Sequence, residues 1–301
     1  MTCSEPWKIF RSTINFRLFS IYLAFALIIP AITILVEYLI TRDPSFRTSL
    51  QLNLQDFHIY QLFTSSFVHL NFDHFLGNVT AYLLIIIYGL VLATILNRKR
   101  LYLVLTKLIV VVFILFGAVF AIFNITTTYY AGLSGIDAAL AGLLLLFWLM
   151  YLEQKSGKNL RSYYGVMLAG VLALFAGITS RYMLLYHTAR SSILFDLLVI
   201  MLVVLVLVII LFRHQFVTVY RALKEFSWSS RLLTVSIVAV FGYFIWNIFP
   251  EQLGSSTRVA SISLHMAGIV LGILAGYIFM VYLIRIAYFH GEKDVVSGPL
   301  Q

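Results

Sequence analysis

Three things are scarce in this chain of 301 residues: cysteine, proline and charge. The single cysteine, Cys3, excludes an intrachain disulfide and leaves the redox compartment open. Five prolines leave long stretches in which a helix runs unbroken. Only 11% of residues are charged while 61% are hydrophobic, and the mean hydropathy is +0.97. A soluble domain of this size cannot bury that much apolar surface, so lipid must be the solvent for most of it. The net charge of +9 does not imply nucleic acid, because basic residues collect in the cytoplasmic loops of membrane proteins.

What is present is a series of apolar runs long enough to cross a bilayer. Eight are read, at about 18–40, 69–96, 101–123, 130–152, 162–185, 193–212, 232–249 and 264–285. The first is long enough to span, so it is expected to be a retained helix rather than a cleavable signal. With the N-terminus inside, fifteen of the 21 Lys and Arg residues fall in inner segments and five in outer ones. Both termini are therefore expected to be cytoplasmic. Short connections predict one all-α membrane-embedded domain over 1–301, with a cytoplasmic segment 1–17 and a polar tail 290–301. The outer stretch Leu50–Phe63 is amphipathic and is expected to lie in the interface. Asn124-Ile125-Thr126 matches a glycosylation acceptor and is expected to be unmodified, since nothing in the sequence marks a eukaryotic source.

Three stretches emerge on the same, outer side of this threading: HLNFDHFLGN at His69–Asn78, GLSG at Gly132–Gly135 and HMAGIVLG at His265–Gly272. Ser134 and His265 fall at similar depth, one to two turns into their helices. A serine hydroxyl needs a base to become nucleophilic, and neutral histidine is the usual base near pH 7. The tetrahedral intermediate needs donors for its oxyanion. His74 and Asn78, four apart on one helix face, and the Ser134 backbone N–H are candidates. Gly132 and Gly135 flank the serine and let backbone and substrate approach closely. Gly268, Gly272 and Gly276 line the face that carries His265, while Gly135, Ala138, Ala139 and Gly142 follow Ser134, so two small-residue faces are set to pack closely. Taken singly, each signal is commonplace: small residues are frequent in membrane helices, and a lone histidine at a helix end is usually interfacial. His69 and His74 do not share a face and no third ligand set accompanies them, so no metal is expected, and no cofactor either.

In combination these motifs resemble those of rhomboid intramembrane serine proteases. GLSGIDAALAG is similar to the family's nucleophile motif, HLNFDHFLGN to its His-(x)4-His-(x)3-Asn motif, and HMAGIVLG to its His-x-x-Gly-(x)3-Gly motif. The resemblance implies a Ser134–His265 dyad without a third acid, with His74 and Asn78 at the oxyanion and His69 shaping the adjoining loop. It implies an endopeptidase that cuts transmembrane segments of other membrane proteins, without nucleic acid among its partners. Three departures stand out. The family's core has six helices, whereas here two additional spans, near 162–185 and 193–212, precede GYFIWNIFPEQL (Gly242–Leu253), which resembles the core's fifth helix. The first outer loop has Tyr60-Gln61 where the family carries Trp-Arg. Ala138 stands where many members carry a tyrosine under the histidine ring. Asp137 is expected either to be a neutral, water-linked acid or to orient His265 or pair with Arg181. The rival expectations are a catalytically silent relative that binds membrane clients and, less well supported, a solute transporter.

Overall fold

A peptide in lipid has no water to satisfy its N–H and C=O groups, so long apolar runs close their hydrogen bonds internally as helices. The computed structural model describes residues 16–53, 55–69, 71–123, 129–130, 132–157, 164–185, 191–248 and 262–289. Each of the eight apolar runs carries a long helix. These are α1 (Phe16–Arg42), α4 (Phe72–Ile95), α5 (Lys99–Phe123), α6 (Ser134–Ser156), α7 (Tyr164–Leu185), α8 (Ser191–Leu211), α10 (Trp228–Asn247) and α11 (Ile262–Phe289). Over their described residues, α4, α6, α7, α8 and α10 are long and apolar enough to cross a membrane. The protein is thus an all-α, polytopic integral membrane protein. Cys3, the 124–126 acceptor, Arg190, Arg258 and the tail 290–301 lie outside the described residues.

Helix α6 is the central post. Of its spanning window 89% is buried, against 11% for α8, which leans on α7 and exposes the rest of its surface. The difference follows from side-chain size. Gly135, Ala138, Ala139 and Gly142 let α11 come to backbone contact with α6. A Cβ on Gly142 would stand 2.2 Å from the Ile269 carbonyl oxygen, and one on Gly268 would stand 2.9 Å from the Ala138 Cβ. A Cβ on Gly272 would stand 1.9 Å from the Ala139 carbonyl oxygen, so even alanine there must push α11 off α6. Overpacking of this kind costs about 1–3 kcal/mol. Gly272→Ala is therefore expected to destabilise the protein by about that much. Thermal unfolding in detergent checks this, and a wild-type melting temperature would contradict it.

Two segments have structure that the sequence did not specify. The amphipathic stretch Leu50–Phe63 is broken into short elements. It folds into the end of α2 (Ser45–Leu50), a short strand β1 (Leu52–Asn53) and the start of α3 (Gln61–Thr64), which a 3-10 turn at Ser65–Phe67 continues. The buried Gln61 side chain organises it: Oε1 accepts from the Asn53 and His58 N–H groups, and Nε2 donates to the Ser49 carbonyl. Strand β1 pairs antiparallel with β2 (Tyr129–Tyr130), with Leu52 opposite Tyr130. Phe57, Ile59, Tyr60 and Phe63 remain exposed as an apolar rim. The second is α9 (Arg213–Glu225), a short amphipathic helix in what reads as a basic connection.

Candidate active site

The site begins at a helix start. Leu133 caps α6, so the Ser134 N–H lies in the first turn, where backbone N–H groups lack intrahelical acceptors. The turn leading in is held from the other side: the Gly132 N–H donates to the Ser65 carbonyl at 2.9 Å. Gly132 has φ +121°, which a side-chain-bearing residue rarely adopts. The positive φ and the missing side chain both matter. A Cβ there would lie 3.7 Å from Ser134 Oγ and 3.9 Å from His74 Nε2, so the space beside Gly132 is bounded by hydroxyl and imidazole together.

His265 sits in the first turn of α11, and its Nε2 stands 2.9 Å from Ser134 Oγ. Both side chains are buried, at 3% and 8% exposure. With Nε2 unprotonated, the hydroxyl donates to it, the geometry in which the ring takes the proton as Oγ attacks. Residues 131 apart in sequence meet because the glycines of α11 seat on the alanines of α6.

Helix α4 supplies the second half. Its N-cap is Asn71, whose Oδ1 accepts from the His74 N–H at 2.8 Å, fixing the first turn. His74 and Asn78 touch one turn apart: Asn78 Nδ2 lies 3.3 Å from His74 Nε2. An amide nitrogen only donates, so Nε2 accepts, and the second Nδ2 proton remains for an oxyanion. His69, in the loop before α4, is fully buried with its ring edge-on to those of His74 and Phe75. Burial, with His74 beside it, holds the His69 imidazole well below its ordinary pKa, and it is neutral. It packs; it does not reach the serine–histidine pair.

The structure thus brings Ser134, His265, His74, Asn78 and Gly132 to one end of the bundle, with Gly135, Gly268 and Gly272 as packing contacts beneath. Asp137 is separate. It is 1% exposed, and neither carboxyl oxygen has a hydrogen-bond partner among the described residues. The expected pairing with Arg181 is absent, because Arg181 is turned toward α10. An unpartnered buried polar group costs about 1–3 kcal/mol. Truncation leaves only a small cavity, so Asp137→Ala is expected to stabilise the protein by about 1 kcal/mol. Thermal unfolding in detergent checks this; a lower melting temperature would give the carboxyl group a stabilising role. Among the described residues no three His, Cys, Asp or Glu side chains group as metal ligands.

Sequence reasoning missed Asn247. A Cβ on Gly77 would lie 2.9 Å from Asn247 Oδ1, so the end of α10 is pressed on α4 beside Asn78. The glycine before Asn78 was the available signal. Comparison with protein-family models, curated proteins and solved structures finds no match to this chain.

Proposed function

We propose that this protein is a serine endopeptidase that cleaves transmembrane segments of other membrane proteins within the bilayer. The observation that carries the reading is the 2.9 Å Ser134–His265 hydrogen bond in a buried site at one end of a membrane bundle. Ser134 Oγ attacks the scissile carbonyl while His265 Nε2 takes its proton. The oxyanion forms beside Gly132, within reach of the Asn78 amide and the Ser134 N–H, with His74 holding Asn78. His265 then protonates the leaving amine, and water resolves the acyl-enzyme by the same steps.

The motif resemblance to rhomboid proteases supports the same assignment. In that reading α1, α4, α5, α6, α10 and α11 form the six-helix core, and α7 and α8 are the additional pair. All eight long helices span, both termini are cytoplasmic, and the site opens to the outer face of a prokaryotic cell membrane. Substrates are helices that fray near their outer ends, since an intact helix hides its carbonyls. No cofactor enters this chemistry.

The test is to reconstitute the purified protein in lipid with a panel of single-span substrates, using Ser134→Ala as control. Cleavage by wild type alone is expected. Binding without cleavage would identify a silent relative and overturn the reading.

A further inference from the structure

The last turn of α10 is held from two sides. On one side, Arg181 of α7 grips a single residue twice: its Nε donates to the Trp246 carbonyl at 3.0 Å, and its guanidinium carbon lies 4.0 Å from the Trp246 ring centroid. That carbonyl belongs to the last four of the helix, which have no intrahelical donor. In the turn before it, Asn247 Nδ2 donates to the Tyr243 carbonyl at 2.9 Å. Gly177, one turn before Arg181, lets α7 in close: a Cβ there would lie 2.8 Å from the Ile245 Cδ1. On the other side, Asn247 presses on Gly77 of α4, one residue before Asn78 and three after His74: a Cβ on Gly77 would lie 2.9 Å from Asn247 Oδ1. An arginine buried in a membrane helix is costly unless paired, and here a carbonyl and an aromatic face receive it. The guanidinium serves both at once, which an ammonium does less well.

We infer that Arg181 is a positioning residue for the His74–Asn78 pair: by clamping Trp246, the additional helix α7 fixes Asn247 against α4 and so sets the orientation of the His74 ring. The catalytic consequence rests on the proposed peptidase function; the positional one does not. It also gives the α7–α8 pair a task. The sequence makes the pair look like plain packing surface, yet α7 reaches the oxyanion side of the site through one helix end.

The experiment compares wild type, Arg181→Met and Arg181→Lys in detergent. The ring-nitrogen NMR signals of histidine, with His74 assigned by its loss in His74→Gln, report ring position without requiring activity. Turnover per active site, KM and melting temperature are measured on the same samples. Arg181→Met is expected to move the His74 signals and to lower kcat about tenfold with little change in KM, the loss of a sub-ångström misplacement. Arg181→Lys should recover part of both. A brace that only stabilises the fold would lower the melting temperature and leave His74 and kcat of the folded fraction unchanged; that result overturns the inference. Should Arg181→Met fail to fold, Trp246→Leu removes the half-exposed ring but keeps the carbonyl, and an unmoved His74 signal there overturns it equally. If wild type neither cleaves nor reacts with a serine-directed probe, the peptidase reading fails while the His74 signal still decides the positional claim.

Discussion

On the proposed peptidase function, Ser134→Ala and His265→Ala are each expected to abolish cleavage, by on the order of 10⁶-fold, with the double variant no worse than either single. The size follows from the geometry. The hydroxyl has its proton acceptor at 2.9 Å, in a site that is buried on both sides. Without the base, a neutral serine is a poor nucleophile; without the serine, the base has nothing to activate. The two therefore act as one unit, and their losses do not add. Neither variant is expected to unfold. Each removes a small polar group at the end of a helix whose packing is carried by Gly268, Gly272 and Gly142 further along. Turnover and melting temperature together check this, and robust proteolysis by either single variant would contradict it.

Loss of an oxyanion donor comes next in size. Asn78→Ala is expected to lower turnover by about 10²-fold, toward the low end of the 10²–10³ range because the Ser134 N–H shares the charge. His74→Ala is expected to approach it, since the ring accepts from Asn78 and holds the amide in place. The double variant should cost little more than the worse single, as for two members of one hydrogen-bonded pair. Substrate affinity should change little in each, because the oxyanion exists only in the transition state. Wild-type turnover in both singles would move the oxyanion elsewhere.

The positions of the long helices were legible because lipid enforces them: an apolar run without water must be helical. The meeting of Ser134 with His265 was also legible, since small residues at helical spacing on both segments leave one close packing between them. What was not legible depends on long-range partners. Leu50–Phe63 has an amphipathic pattern, but Gln61 and the pairing of Leu52 with Tyr130 decide its shape, and neither is local. Helix α9 was hidden by its charge: Arg213, Arg221 and Lys224 read as a connection, although Val219, Ala222 and Leu223 pack on the core. The sequence offers Asp137 as one partner for Arg181, an acid and a base in neighbouring apolar runs. The contact with Trp246 requires α7 to lie along α10, which no short-range pattern reveals.

The central claim is that Ser134 is a nucleophile activated by His265. The most direct measurement is to treat the protein in detergent with a fluorophosphonate, then locate the adduct by peptide mass mapping. The account predicts one adduct, on Ser134, formed in wild type and lost in His265→Ala. An unmodified Ser134, or the same labelling of Ser134 without His265, would contradict it.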